Sequence, residues 1–320
     1  MTKYPEISII IVSYNTKCMT LECLRSLFAE TTDLLYEVLV LDNASTDGSA
    51  EAIEAEFGNR IVLEKSNINY GFAGGNNRMA SHAKGKYILL LNPDTIVLDG
   101  AVQRLVAFAK RKPTAGIWGG RTLFGDHSLN PTSCWGDQTL WTLILAASGL
   151  SSLFRNSGVF NPEALGGWDR NGERDVDIVT GCFFLITREL WDTVGGFDET
   201  FFMYGEEADL CLRARALGAA PTVTSDATII HYGGASEKVP ADKYIKLLRA
   251  KSLLIVRHFP PYLCDIGNWL LSMWPFTRSL AHRILAALGR KPSEENAKLW
   301  REVWRRRSEW KNVGAEKCPD

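Results

Sequence analysis

Apolar residues in the first 120 positions fall into short unbroken runs, separated by stretches with helical spacing. Ile7–Ser13, Glu37–Leu41, Ile61–Glu64, Tyr87–Leu91 and Gly116–Gly119 read as strands. Unbroken runs, as opposed to strict alternation, mark strands covered on both faces. Between them, Thr20–Glu30, Ser49–Phe57, Phe72–Ala83 and Ala101–Lys110 carry apolar residues three and four apart and read as helices. This alternation predicts an α/β fold, a Rossmann-like and mostly parallel sheet flanked by helices, with strand C-termini gathered on one edge. Open sheets of this kind bind ligands at that edge.

The pattern then loosens. Residues 121–176 are rich in Gly, Asn, Ser and Trp, with one helix expected near 138–150. Ile178–Thr187 reads as a strand, Arg188–Val194 as a short helix and Gly195–Gly205 as an aromatic loop. Glu206–Leu217 reads as a helix closed by Gly218. Pro221–Thr224 and Ala227–Ile230 read as short strands leading to His231. Residues 241–312 look helical, broken at Pro260-Pro261 and Pro275, with a polar linker at Arg290–Glu295. Two regions are expected. A catalytic domain spans 1–240, with halves of about 1–120 and 121–240, and a helical C-terminal extension spans 241–320.

Composition sharpens that division. The net charge of −1 conceals an acidic body and a basic tail. Residues 1–240 carry 20 Lys and Arg against 29 Asp and Glu, a net −9, whereas residues 241–320 carry 16 against 8, a net +8. In the tail, Trp300, Trp304 and Trp310 are interleaved with Arg301, Arg305, Arg306 and Arg307. A basic amphipathic helix with Trp reads as an interfacial membrane helix. The competing readings are a helical subdomain packed on the body and a contact with a second protomer, which would make a homodimer. Nothing indicates nucleic-acid binding. Seven cysteines, an odd number with no C-x-x-C pair, argue against a disulfide framework or zinc site and for a reducing, cytoplasmic setting. The N-terminus enters a strand without a signal-peptide pattern, and the most apolar internal stretch, Leu140–Phe154, is too interrupted to span a bilayer.

Candidate chemistry sits where strands end. Asp94 follows the Tyr87–Leu91 run through Asn92 and Pro93, which stops ladder pairing; a carboxylate there can hold a hard cation or merely cap the next turn. Asp42 precedes a polar turn, Asn43–Ser49, and could accept a proton from a base edge, whereas Ser45 and Asp47 are explained as caps. Asn69–Asn77 is Gly-rich, so backbone there can approach a ligand or simply turn. Glu206, Glu207 and Asp209 crowd a helix start, which suits either dipole capping or a general base. His231 ends a strand in a Gly-rich loop and could complete a cation site or be structural.

Taken together, IIIVSYN (9–15), LDNASTDGS (41–49), NYGFAGGNN (69–77), LLLNPD (89–94), the Gly181–Gly218 segment and HYGGAS (231–236) resemble glycosyltransferase family 2, the inverting enzymes of the GT-A fold, and within it a rhamnosyltransferase-like bacterial branch. The resemblance covers residues 7–236. It implies that Asp42 contacts a pyrimidine base, with Ser13 and Asn15 near the nucleotide, and that Asn69, Gly71, Gly74, Asn77 and Asn92 line a nucleotide-sugar. It implies Mg²⁺ or Mn²⁺ held by Asp94, the last residue of a D-x-D motif whose first position here is Asn92, with His231 helping. Glu207 stands where the family places its base as Asp, so Asp209 and Glu206 are fallbacks. The implied activity moves a sugar, with dTDP-rhamnose as the first expectation, from a dTDP or UDP donor to a hydroxyl of a growing, lipid-linked bacterial surface glycan. That would place the chain peripherally on the cytoplasmic face of the inner membrane. The alternative is a catalytically silent homologue that scaffolds glycan assembly. A nucleotidyltransferase would need a basic Gly-rich N-terminal loop, which Ile7–Lys17 lacks.

Overall fold

The computed structural model describes residues 4–233, 239–289 and 292–311; Gly234–Ser236 of the His231 motif and Cys318 lie outside them. The chain divides into two compact units: residues 1–135 with 169–236, and residues 136–168 with 237–320.

The first unit is a mixed sheet with flanking helices. Its strands are β1 (Ile7–Ser13), β2 (Tyr36–Asn43), β3 (Val62–Ser66), β4 (Tyr87–Leu91), β5 (Thr95–Val97), β6 (Ile117–Leu123), β7 (Leu129–Asn130), β8 (Cys134–Trp135), β9 (Glu173–Asp175), β10 (Ile178–Val179), β11 (Phe183–Thr187) and β12 (Thr222–His231). The main order is β3-β2-β1-β4-β11-β6-β12-β5, with β7 on β6 and β9 on β12, while β8 and β10 form a separate ribbon. Strands β3, β2, β1 and β4 are parallel, as expected. Strand β11 runs antiparallel to both β4 and β6, so the strand C-termini do not all share one edge. Apolar runs report burial on both faces but carry no direction, and that is why the sequence pattern overstated parallel pairing. The two short strands expected before His231 are one strand, β12, whose register with β6 shifts between Thr224 and Thr228.

The helices of this unit are α1 (Lys17–Glu30), α2 (Ser49–Phe57), α3 (Gly71–Ala80), α4 (Ala101–Arg111), and, after the 136–168 segment, α7 (Arg188–Val194) and α8 (Glu206–Ala216). Strands β1 and β4 are buried almost throughout, and their side chains pack with α1 and α4 through Leu24, Leu27, Leu105 and Phe108. This core fixes the strand ends on which the candidate residues stand.

The second unit is helical: α5 (Leu140–Ser148), α6 (Leu150–Leu153), α9 (Pro240–His258), α10 (Pro261–Ala287), α11 (Pro292–Arg305) and α12 (Ser308–Lys311). Helix α10 runs unbroken through the buried Pro275, where the sequence suggested a break. An interior proline costs about 3 kcal/mol, and packing of Leu270 and Leu271 with Leu143, Leu248 and Trp300 outweighs it. The tryptophans of the basic tail are also placed differently from the interfacial reading. Trp300, Val303 and Trp310 are buried in the core of this unit, and Trp310 Nε1 donates to the Val303 carbonyl at 3.2 Å. No helix among the described residues is long and apolar enough to cross a membrane.

Candidate active site

Asp42 ends β2 and is buried, with 3% of its surface exposed. Its Oδ2 accepts from the Ser45 backbone N–H at 3.2 Å, and its Oδ1 is buried without a partner. A buried carboxylate oxygen left this way is costly unless a ligand donor meets it. Ser13, at the end of β1, is instead engaged in a hydroxyl cluster with Thr16 (3.1 Å) and Thr20 (2.9 Å). Asn15 has left-handed backbone, and its Oδ1 accepts from the Thr46 N–H at 2.8 Å, while its own N–H donates to Ser45 Oγ. Ser13 and Asn15 thus shape the floor beside Asp42 with the polar atoms the structure records for them.

The Gly-rich segment opens α3 and is pinned from β2. The Asn43 amide donates to Asn69 Oδ1 (3.0 Å) and to the Gly71 carbonyl (3.1 Å), and its Oδ1 accepts from the Tyr70 N–H at 2.9 Å. Asn69 Oδ1 also accepts from the Gly71 N–H. Gly71 has a φ of 70°, and a Cβ there would lie 2.4 Å from the Phe202 carbonyl oxygen, so no other residue fits. The Phe72 N–H donates to that same carbonyl. Gly74 faces Tyr70 and Glu199. The Gly-rich segment therefore seats the 195–205 loop. Asn43 was not singled out from sequence, although its place between Asp42 and the N-cap residues was a signal.

Asp94 lies between β4 and β5. Strand β5 pairs antiparallel with β12, with His231 opposite Thr95, and the Tyr232 N–H donates to the Asp94 carbonyl at 3.1 Å. This register brings His231 Nε2 to 3.4 Å from Asp94 Oδ1, with both side chains largely buried. The His231 Nδ1 is buried and has no hydrogen-bond partner among the described residues. Burial lowers the ring's pKa, but Cys182 and the Asp94 carboxylate outweigh it and lift the value to about 10. Asn92 is fixed through its backbone: its N–H donates to the Cys182 carbonyl at 3.1 Å and its carbonyl accepts from Thr95 Oγ1 at 2.7 Å. A cation binding here would displace the ring proton, and the carboxylate and neutral imidazole would then make a mixed oxygen and nitrogen donor pair of the kind that divalent cations accept. Among the described residues no group of three His, Cys, Asp or Glu is arranged to hold a metal. The pair therefore fits a cation whose remaining positions are filled by phosphate oxygens and water.

Helix α8 begins after Tyr204 and Gly205, which both have positive φ (70° and 89°). A non-glycine residue held there is strained, and such strain gathers at functional sites. Glu206 and Glu207 each have a buried, unpaired Oε2. Burial raises the pKa of both, and Glu207 raises Glu206 further. Asp209 differs. It is 1% exposed, and its Oδ2 accepts from Arg213 Nε at 2.7 Å; the same guanidinium donates to the Val194 and Gly196 carbonyls. Asp209 thereby anchors the loop before α8, and the Asp209–Arg213 spacing of four residues was the sequence signal for it.

The Glycosyl transferase family 2 model matches residues 8–163. That match, just under half of the chain, and the relatives below support a family 2, rhamnosyltransferase-like protein. Among its relatives, O-antigen biosynthesis protein RfbC of Myxococcus xanthus is 26% identical over 243 residues, which are 74% of this chain but 18% of RfbC. The N-acetylglucosaminyl-diphospho-decaprenol L-rhamnosyltransferase of Mycobacterium tuberculosis is 28% identical over 226 residues, 63% of this chain and 68% of that enzyme. Rhamnosyltransferase WbbL of Escherichia coli is 28% identical over 233 residues, 70% of this chain and 82% of its own. The fold is similar to that of the mannosyltransferase PcManGT of Pyrobaculum calidifontis, solved with GDP-Man and Mn²⁺, at a TM-score of 0.60 and 17% identity over 99% of this chain and 89% of that one. The chain thus shares a GT-A-like architecture with that structure.

Proposed function

We propose that this chain is a metal-dependent inverting glycosyltransferase, which moves rhamnose from dTDP-rhamnose to a hydroxyl of a growing, lipid-linked bacterial surface glycan. The observation that carries the reading is a set of buried polar atoms without partners among the described residues: Asp42 Oδ1, His231 Nδ1, and one carboxyl oxygen each of Glu206 and Glu207. Buried polar groups are rarely left so unless a ligand completes them. Asp42 would accept from the base and Asp94 and His231 would hold the cation, while Gly71 and Gly74 let the 195–205 loop pack against the start of α3. When bound, a divalent cation supplies charge neutralisation for the leaving diphosphate. Glu207 takes the proton of the acceptor hydroxyl as that oxygen attacks the anomeric carbon from the face opposite the diphosphate. The C–O bond to the diphosphate breaks as the new one forms, so configuration inverts. Rhamnosyl transfer is supported by the names of the M. tuberculosis and E. coli relatives, and the lipid-linked acceptor by that of the M. tuberculosis enzyme alone. Such an acceptor would hold the chain peripherally at the cytoplasmic face of the inner membrane.

A thermal-shift screen of nucleoside diphosphates and nucleotide-sugars with and without Mn²⁺ tests the site. dTDP ligands should stabilise the protein more with Mn²⁺, and Asp94→Asn should remove the Mn²⁺ increment while leaving part of the nucleotide effect. Equal shifts with and without Mn²⁺ would exclude the cation. Asn92 and Glu207, both departures from the family pattern, favour as a second reading a silent scaffold; absence of donor hydrolysis despite tight nucleotide binding would select it.

A further inference from the structure

Helix α10 carries an apolar stripe that the other described helices of its unit leave largely exposed, Phe276 alone leaning on Trp304 at a ring-centroid distance of 5.2 Å. Tyr262, Ile266, Trp269, Phe276, Leu280 and Ile284 follow one another at intervals of three, four and seven residues, so they share one face. Each is between 42% and 78% exposed. From Tyr262 to Ile284 the stripe is roughly 33 Å long at 1.5 Å per residue. Single exposed apolar residues are ordinary, but a continuous row is a contact surface.

The structure assigns this α10 face to an anionic lipid bilayer, on which the helix lies flat with its apolar side chains in the headgroup and acyl boundary. Charge favours that occupant. The helical unit, residues 136–168 with 237–320, holds 18 Lys and Arg against 11 Asp and Glu, a net +7. A second copy would set two such excesses against each other, whereas an anionic surface is attracted to both. Of the charges on α10 itself, Arg278 is turned inward to Ser152 Oγ at 2.6 Å, while Asp265 and Arg283 remain exposed. The helix does not span, because no described helix is apolar enough. Large apolar side chains on one face of a helix in a basic unit suit interfacial binding. Trp300 of α11 and Trp310 of α12, by contrast, are spent on the core.

This deepens the membrane-side reading above and rests on it, so the test separates the two. Full-length protein is floated with vesicles of phosphatidylcholine alone and with vesicles also containing phosphatidylglycerol. It should float with the anionic vesicles, and Ile266→Ser/Trp269→Ser should lower binding by about tenfold or more. Far-UV circular dichroism and nucleotide binding should be unchanged in that variant, and Trp269→Phe should retain flotation. Failure of the parent protein to float, or equal flotation by the double variant, overturns the inference. A shift from dimer to monomer in the double variant with flotation unaltered also overturns it and names a second copy as the occupant. Donor hydrolysis in the same samples reports on the glycosyltransferase reading independently.

Discussion

Asn77 grips the backbone of Phe197 from both sides of one residue. Its Nδ2 donates to the Phe197 carbonyl at 2.9 Å and its Oδ1 accepts from the Phe197 N–H at 2.9 Å, with a further bond from Nδ2 to Glu199 Oε1 at 3.0 Å. The resemblance implied that Asn77 lines the nucleotide-sugar; its amide instead ties α3 to the 195–205 loop, which leads into Glu206 and Glu207. Asn77→Ala leaves a backbone donor and acceptor unmatched, each worth about 1–3 kcal/mol if they stay buried. We expect a loss of stability in urea titration of roughly 2 kcal/mol or more, together with a raised KM for donor. A variant as stable as the parent would remove the clamp.

Glu207 and Asp209 should separate cleanly on substitution. Glu207→Gln keeps shape and removes the proton acceptor. It should lower turnover by about 10²–10⁴-fold with nucleotide affinity near that of the parent, because general-base catalysis contributes in that range. Asp209→Ala frees the Arg213 guanidinium from its carboxylate and loosens the Val194 and Gly196 carbonyls. It should cost stability first, roughly 2–3 kcal/mol. Turnover in a Glu207→Gln enzyme within a few-fold of the parent would take the base role from Glu207.

The buried Glu206 gives the fold a pH dependence of predictable sign. Burial, reinforced by Glu207, raises its pKa well above the usual 4.5. Across the window between the unfolded and folded values, the native state binds the proton and the unfolded state does not. Stability from this group is therefore full below the unfolded pKa and falls as pH rises through the folded one. Glu206→Gln, which is neutral at every pH, should raise the melting temperature at pH 8 and leave it nearly unchanged at pH 4. A variant that melts lower than the parent at pH 8 would show the carboxylate to be paired.

How far the sequence reached depends on what each pattern encodes. The apolar runs of β1 and β4 predicted buried strands because no other segment of that length hides both faces. They could not reveal that β11 runs antiparallel, since burial is symmetric under reversal of the chain. Asp42, Asp94 and Glu207 were visible as polar residues at strand ends and a helix start. The work of Asn43, Asn77 and Arg213 was not, because each acts on backbone atoms more than 15 residues away, and no local spacing announces such partners.

The tail formed by α11 and α12 shows the limit most sharply, and it yields the last prediction. Its alternation of Trp and Arg is what an interfacial helix and a core helix both require, since each needs one apolar face and one charged face. The structure chooses the core. Trp300 packs on Tyr244 and Trp274 at ring-centroid distances of 4.6 and 5.7 Å, and Trp310 is 1% exposed. Replacing a buried Trp by Ala usually costs about 3–5 kcal/mol. Trp310→Ala should therefore weaken the helical unit by that order in a denaturant titration followed by tryptophan fluorescence. If Trp310 instead faced lipid, the same change would leave stability in solution within about 0.5 kcal/mol of the parent, as surface substitutions do, and would weaken vesicle binding. The two outcomes differ in which measurement moves, so one variant decides whether the tail's tryptophans hold the helical unit together or hold it to a membrane.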